Sequence, residues 1–199
     1  MLITRTVSDL LDAFASPDPT PGGGSAAALA GAIGASLLAM VAGMPKTKTG
    51  SPESREALDA ARGRLMAARA TLTGLVDRDS AAYDLVVAAY GQPKGTDAEK
   101  AARRVAIQHA MRIATDVPLE TATACAGALG DAAAVEAHGN PNATSDVGTG
   151  IALLGAGLRG ALLNVDANIG SLTDPAVVAE FQRRRAAVEG DGGVVHRSR

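Results

Sequence analysis

The chain has 199 residues, with 19 Lys plus Arg, 21 Asp plus Glu and a formal net charge of −2. This length suits one domain with its own core, and the near-neutral charge gives no electrostatic footprint for nucleic acid or an anionic membrane. Aromatic residues are 2% of the chain, whereas 23 glycines and about 43 alanines form roughly a third of it. Because β-sheets rely on aromatic and β-branched side chains, the composition predicts closely packed helices.

The cysteine and histidine content limits the chemistry available to the chain. Cys125 is the single cysteine, which excludes an internal disulfide framework, a Cys-x-x-Cys redox pair and a multi-cysteine zinc site. His109, His138 and His196 form no pair at metal-ligand spacing, so we predict no metal site. Residues 1–14 lack the apolar block of a secretory signal, and we therefore expect a cytoplasmic protein.

The N-terminal part of the sequence predicts a short helix, a loop and a buried helix. Ser8 is the predicted N-cap of the short helix, and residues 16–24 predict a loop because proline removes backbone donors and glycine loosens the chain. Residues 25–43 are apolar on every side and long enough to span a membrane. Since Ala and Gly dominate this run and no other segment resembles a span, we interpret it as the buried central helix of a bundle and expect no membrane association.

Residues 52–91 predict one long helix with a carboxylate in its apolar seam. Residues at multiples of seven are apolar, which is typical of an antiparallel bundle: Leu58, Leu65, Leu72 and Val86. Asp79 takes the remaining place in this series, and a lone buried carboxylate is costly unless it is paired or its pKa rises. Tyr83, one turn further on the same face, could hydrogen-bond to it. Two interpretations stay open: a general acid/base or anchor for a cationic or amide-like ligand edge, and a polar latch between helices.

The second half of the chain continues the helical pattern. Asp97 is the predicted N-cap of a helix that Pro118 interrupts or kinks, and the pattern then resumes up to residue 138. Residues 139–142 predict a turn, and Thr144 and Ser145 form a capping signal for the helix that follows.

The last two predicted helices complete the domain. Apolar residues at 3–4 spacing predict a helix over 147–170, and an N-cap followed by proline at 174–175 opens a final helix. We therefore predict a single all-α domain over residues 1–188, an antiparallel helical bundle with one long helix and a buried Ala/Gly-rich central helix. The Gly-rich residues 189–199 are predicted to be a disordered tail.

Three amides interrupt otherwise apolar faces. Gln108 lies near the buried side of its helix, where it could bond to backbone or serve the function. Asn164 and Asn168 stand one turn apart and share a face with Gly157 and Gly160. Because asparagine favours neither helix nor burial, this pair predicts a buried interhelical network or a contact with a ligand amide.

A glycine-rich loop and a lysine loop flank the central helix. Residues 20–25 read Thr-Pro-Gly-Gly-Gly-Ser, and free N–H groups at a helix start attract anions while glycine lets a ligand approach the backbone. The loop lacks the Gly-Lys-Ser/Thr of a phosphate-binding loop, and a tight turn under neighbouring helices is an equal alternative. Lys46 and Lys48 follow the helix and could meet a carboxylate-bearing ligand or be solvated.

Several motifs, in order, carry a resemblance to a known family. They include Pro-Thr-Pro-Gly-Gly-Gly-Ser-Ala-Ala-Ala-Leu-Ala-Gly at 19–31, Asp-Arg-Asp-Ser-Ala-Ala-Tyr at 77–83, Ala-Tyr-Gly-Gln-Pro-Lys-Gly-Thr at 89–96 and Gly-Asn-Pro-Asn-Ala-Thr-Ser-Asp at 139–146. Over about residues 5–188 the chain resembles the cyclodeaminase/cyclohydrolase family, which comprises the C-terminal domain of formiminotransferase-cyclodeaminase and stand-alone relatives. Many relatives carry Gly-Lys-Lys-Lys-Tyr after the central helix, whereas this chain reads Met-Pro-Lys-Thr-Lys-Thr-Gly at 44–50 and lacks the tyrosine.

The resemblance implies an all-helical homodimer that acts on one-carbon-substituted tetrahydrofolate without a tightly bound cofactor. The first expectation is a cyclodeaminase, which converts 5-formimidoyltetrahydrofolate to 5,10-methenyltetrahydrofolate and ammonia. The alternative is a methenyltetrahydrofolate cyclohydrolase, which gives 10-formyltetrahydrofolate. A second alternative is a non-catalytic helical folate-binding or scaffold protein. A formiminotransferase is a candidate partner.

Together with the spacing, the resemblance also assigns site residues. Asp79 is the first candidate for a catalytic acid/base and Asp146 the second, although Asp146 also suits a first-turn acid at a helix start. Gln108 would orient the attacking water or hold an amide edge of the pterin, and Lys46 and Lys48 would meet the glutamate tail. The remaining expected substrate-binding residues are Gly22, Gly23, Gly24, Ser25, Tyr83, Asn140, Asn142 and Asn164.

Overall fold

The computed structural model describes residues 1–196, with side chains described up to residue 190, and this part of the chain contains helices and no β-strand. The helices are α1 (Val7–Ala15), α2 (Gly23–Ala42), α3 (Pro52–Tyr90), α4 (Asp97–His138), α5 (Thr144–Ile169) and α6 (Pro175–His196), and a 3₁₀ turn covers Pro141–Ala143. The predicted all-α class, the long helix and the central helix are confirmed.

Helices α2 to α5 form an antiparallel four-helix bundle, as predicted. Arg78 pairs with Glu120 and Arg64 with Asp131, so the chain runs backward along α3 as it runs forward along α4. Helix α2 packs against both α3 and α5, and α6 covers α4. Neighbouring helices therefore cover most of the surface of α2, as expected for a helix that is apolar on every side.

Small residues bring α2 and α5 into backbone contact. A Cβ on Gly34 would lie 2.6 Å from the carbonyl oxygen of Gly150, and a Cβ on Gly157 would lie 2.8 Å from that of Ala27. Cys125 of α4 fills the space beside Gly31, and burial raises the pKa of its thiol to about 12. Glycine at these positions therefore sets the interhelical distance, and Cys125 is a core residue as expected.

Two predicted helix starts lie one or two residues from the observed ones. Thr6, and not Ser8, caps α1, because its hydroxyl accepts a hydrogen bond from an N–H in the first turn. Thr96, and not Asp97, caps α4, and Glu99 completes a capping box by accepting from the Thr96 N–H. In both cases the cap is the last residue with extended backbone, where a side-chain oxygen can reach the first free N–H groups.

The predicted interruption at Pro118 and the predicted cap of α5 are both wrong, while a kink at Pro118, the other effect expected of it, stays a prediction. Helix α4 continues through Pro118 without a break. Helix α5 follows directly from the 3₁₀ turn, and the Thr144 hydroxyl donates to the Pro141 carbonyl instead of capping a helix N–H. The 3₁₀ turn leads the chain directly into α5, and no side chain caps the helix.

Helix α6 extends beyond its predicted end near residue 188 and runs to His196. Residues 197–199 of the predicted tail lie outside the described residues. By length and composition, two helical segments in the described chain could cross a membrane: Gly23–Ala42, 61% buried within the protein, and Pro141–Ile169, 39% buried. The expectation that no second segment resembles a span is therefore wrong. Core helices of soluble proteins pass the same test, and both helices contribute to the bundle core.

Candidate active site

A cavity of about 300 Å³ opens where the start of α2 meets α3, α4 and α5. Its lining includes six of the residues expected at the site, which are Gly22, Gly23, Gly24, Asp79, Tyr83 and Asn164. Pro19, Thr20, Val86, Met111, Ala114 and Asn168 complete it. Residues from four separate segments therefore converge on one concave site with a carboxylate in its wall, which is the usual form of a small-molecule site.

Asp79 is held at one of its two carboxylate oxygens. Its Oδ2 accepts from the N–H of Ser25 at 2.8 Å and lies 3.0 Å from the Ser25 hydroxyl. That hydroxyl also lies 2.9 Å from the Val76 carbonyl and 3.2 Å from the Ser80 hydroxyl. Ser25 is fully buried behind Asp79 and does not line the cavity. We therefore assign it the role of positioning Asp79, in place of the substrate contact expected from the sequence.

Gly24 leaves room for the other oxygen of Asp79. A Cβ at Gly24 would lie 2.6 Å from Cγ of Asp79 and closer still to Oδ1. No hydrogen-bond donor among the described residues reaches Oδ1. The carboxylate thus sits against the bare backbone of the first turn of α2, with Oδ2 anchored by Ser25 and Oδ1 without a donor from the described residues.

Burial raises the pKa of the Asp79 carboxyl, and the two hydrogen bonds from Ser25 lower it by less. Loss of water around a carboxylate disfavours its charged form, whereas donors favour it. The net upward shift brings the pKa of the carboxyl closer to neutral pH, and a general acid/base is most effective when its pKa lies near the pH at which the enzyme works. The expected hydrogen bond from Tyr83 to Asp79 is absent from the described residues, and the Tyr83 side chain lines the cavity while remaining 40% exposed.

Gln108 lies outside the cavity lining and is committed to the backbone. Its Nε2 donates to the carbonyl of Ser171 at 3.1 Å, and its Oε1 accepts from the N–H of Thr173 at 2.8 Å. Both halves of the amide therefore hold the connection between α5 and α6. This is the backbone-bonded alternative that the sequence left open.

Lys48 and Asn140 line a different cavity, of about 560 Å³, at the C-terminal end of α4. Lys48 Nζ lies 3.4 Å from the Glu136 carbonyl, and Asn140 Oδ1 accepts from the N–H of Asn142 at 3.0 Å. Lys46 and Asn142 are exposed, and neither lines the cavity.

The structure separates these residues from Asp79. Asp79 meets the first turn of α2, whereas Lys46 and Lys48 follow its last turn. Twenty helical residues span about 30 Å. Asp146 lies in the first turn of α5, also outside the cavity around Asp79. The candidate residues therefore divide between two ends of the bundle, which their order in the sequence does not indicate.

Asn168, Met111 and Ala114 line the cavity although they are not among the expected substrate-binding residues. The sequence does single out Asn168 together with Asn164, for an interhelical network or a contact with a ligand amide, because the two stand one turn apart on the same helix face. Met111 and Ala114 carry only the apolar spacing of a core, which gives no sign of a ligand. Among the described residues, no group of three or more His, Cys, Asp and Glu is arranged to hold a metal ion.

Comparisons with known proteins agree with this fold. The sequence model of the family described as formiminotransferase-cyclodeaminase matches residues 6–187. The methenyltetrahydrofolate cyclohydrolase of Methylorubrum extorquens is 40% identical over 192 residues, covering 96% of this chain and 92% of that protein. The formimidoyltransferase-cyclodeaminase of Sus scrofa is 34% identical over 92% of this chain, which spans 34% of the pig protein.

The crystal structure of formiminotetrahydrofolate cyclodeaminase from Thermotoga maritima has the same fold, with a TM-score of 0.86. The two chains are 22% identical, and the match covers 98% of this chain and 93% of the other.

Proposed function

The chain belongs to the formiminotransferase-cyclodeaminase family, and we propose that it is a 5,10-methenyltetrahydrofolate cyclohydrolase. The observation that supports this choice is the match to the Methylorubrum cyclohydrolase, which extends over nearly the full length of both proteins. The match to the pig protein covers only a third of that longer chain. We therefore place the alternative activity ahead of the cyclodeaminase activity that the sequence first suggested.

The proposed reaction adds water to a carbon that is already electrophilic. The oxygen of water attacks the methenyl carbon between N5 and N10, and one water proton passes to a base. The C–N5 bond of the tetrahedral intermediate then breaks as the carbonyl forms. N5 takes up a proton, the remaining hydroxyl proton is released, and 10-formyltetrahydrofolate results. The protein must therefore supply a group that first accepts a proton and then donates one.

Asp79 Oδ1 suits this exchange. Asp79 lines the cavity and no donor among the described residues reaches its Oδ1, while the Ser25 bonds to Oδ2 hold the carboxylate in one orientation. The ionised carboxylate also stabilises the cationic methenyl group before attack. Because burial raises the pKa of Asp79, the protonated form needed to deliver a proton to N5 is more accessible than for an exposed aspartate.

The size of the cavity limits which part of the ligand it can enclose. About 300 Å³ lies at the lower end of the range for small-molecule pockets. It suits the reduced pterin with its one-carbon bridge, while the aminobenzoyl-glutamate portion would extend out of the cavity. Lys46 and Lys48, at the other end of α2, are about 30 Å away along the helix and are not part of this proposal. The homodimer and the formiminotransferase partner stay predictions.

The absorbance band of methenyltetrahydrofolate distinguishes the activities. We expect the purified protein to accelerate loss of the band, with 10-formyltetrahydrofolate as product, compared with buffer alone. Asp79→Asn protein, purified in the same way, controls for contaminating enzymes. Appearance of the band and of ammonia from 5-formimidoyltetrahydrofolate would instead establish a cyclodeaminase. Absence of both reactions, with retained folate binding, would establish the non-catalytic alternative.

A further inference from the structure

Pro118 leaves a carbonyl of α4 without its helical donor beside the cavity. In an α-helix the carbonyl of residue 114 would accept from the N–H of residue 118, but proline has no N–H. The side chain of Asn168, from α5, fills the gap: its Nδ2 donates to the Ala114 carbonyl at 2.7 Å. Ala114 and Asn168 both line the cavity that contains Asp79. The proline of one helix thus determines how an asparagine of another is oriented.

Asn164 is also held by a hydrogen bond to a backbone carbonyl, in this case one of its own helix. Its Nδ2 donates to the Gly160 carbonyl at 2.8 Å, and Asn164 also lines the cavity. No donor among the described residues reaches the Oδ1 of Asn164 or of Asn168. With one proton of each amide committed to backbone, both side chains leave a carbonyl oxygen without a partner. Because both residues line the cavity, Asn164 Oδ1 and Asn168 Oδ1 form a candidate pair of acceptors there.

The spacing of this pair suits a primary amine on a planar ring. Side chains one turn apart on a helix start about 5–6 Å from each other. The two N–H bonds of an –NH₂ group diverge by about 120°, so two oxygens that each lie about 2.9 Å from its nitrogen are separated by about 5 Å. The spacing of the two side chains on α5 is therefore of the size needed for one amino group to donate to both oxygens.

We propose that Asn164 and Asn168 bind the exocyclic 2-amino group of the pterin between them, with Pro118 positioning Asn168 for this contact. The proposal rests on the folate substrate of the proposed function and names the part of that substrate that the cavity selects. A ligand that lacks the amino group would cover the two acceptors without pairing them, and such a loss discriminates strongly between ligands.

Binding of tetrahydrofolate and of its 2-desamino analogue tests the proposal by calorimetry. Neither compound carries a one-carbon group, so the result does not depend on turnover. We expect the protein to prefer tetrahydrofolate by roughly 10- to 100-fold, and Asn168→Ala to reduce the preference to about threefold or less. Gly127→Ala, on an exposed part of α4 with open space around it, should keep the full preference.

The double variant Pro118→Ala with Asn168→Ala separates recognition from folding. Alanine in place of Pro118 restores the N–H that the Ala114 carbonyl lacks, so the double variant should regain stability lost in Asn168→Ala while the preference stays low. A double variant that folds like the wild type and keeps the full preference would overturn the proposal. Discrimination in the binding assay without loss of the methenyl band would keep this proposal and reject the cyclohydrolase.

Discussion

Replacing Gly24 with alanine should damage the site by displacing Asp79. The new methyl carbon would lie 2.6 Å from Cγ and 2.8 Å from Oδ2 of Asp79, and nearer still to Oδ1, whereas Cβ contacts under 3.0 Å are essentially never found. Oδ1 would therefore have to move by about 1 Å or more, a displacement that can reduce catalysis by about 100-fold. The carboxylate cannot turn away freely, because Oδ2 is bound by the Ser25 N–H at 2.8 Å.

Turnover and stability should both respond to this change. We expect Gly24→Ala to lower kcat for methenyltetrahydrofolate by roughly 100-fold and to lower the free energy of unfolding by about 1.5–3 kcal/mol, the worth of one charge-assisted hydrogen bond. Stopped-flow absorbance gives kcat, and urea unfolding followed by circular dichroism gives the stability.

Gly74→Ala is the matched control. Gly74 lies on α3 about a turn and a half before Asp79, and a Cβ there would meet nothing within 4 Å. An exposed helical Gly→Ala change stabilises a protein by about 0.5–1 kcal/mol, and we expect unchanged kcat. Wild-type kcat in Gly24→Ala would refute the assignment of Asp79 as the proton-exchanging group held against the first turn of α2.

Three further changes test separate parts of the structure. Asp79→Asn should lower kcat by at least roughly 100-fold. Burial raises the folded-state pKa of Asp79, so the free energy of unfolding of the wild type should fall as pH rises from the unfolded-state pKa through the folded-state pKa. Asp79→Asn lacks this titration, and its stability relative to the wild type should therefore increase over that pH range in urea titrations. A difference in stability that stays constant with pH would contradict the direction of the pKa shift. Gly34→Ala should lower the free energy of unfolding by about 3 kcal/mol in the same assay, because its Cβ would lie 2.6 Å from the Gly150 carbonyl oxygen and backbone cannot move aside as a side chain can. A loss under about 0.5 kcal/mol would show that α2 and α5 separate easily. The double variant Lys46→Ala, Lys48→Ala should leave KM for monoglutamyl substrate unchanged, since the first cavity is about 30 Å distant along α2; a rise in KM would show that these lysines do reach the ligand.

The sequence identifies Asp79 because every seventh residue along this helix is expected to be apolar, and Asp79 is not. Leu58, Leu65 and Leu72 are fully buried, as that seam predicts, and the carboxylate at the next position lines a cavity. Spacing along one helix is local information, which a single sequence contains. The same reasoning identifies Asn164 as an amide on an apolar face.

The partners of these side chains depend on contacts across the bundle and could not be predicted in this way. Asn168 and the Ala114 carbonyl are 54 residues apart, and their hydrogen bond exists because Pro118 removes a donor from a different helix. Local rules read Pro118 as a helix breaker, whereas packing keeps α4 continuous and the missing donor is replaced from α5. Likewise, Ser25 looks like part of an exposed loop until α3 brings Asp79 to it.

The glycines of α2 link packing to chemistry through the rigidity of the helix. Gly34 meets the backbone of α5, while Gly24, ten residues earlier, admits the Asp79 carboxylate. Ten helical residues span about 15 Å. The contact at Gly34 therefore sets where, along the axis of the bundle, the first turn of α2 lies relative to Asp79. A larger residue at Gly34 would push α2 away from α5 and so disturb the Ser25 bonds that orient the carboxylate. The small-residue content thus does more than allow close packing, because it fixes the position of the backbone N–H groups against which the proposed catalytic acid is held.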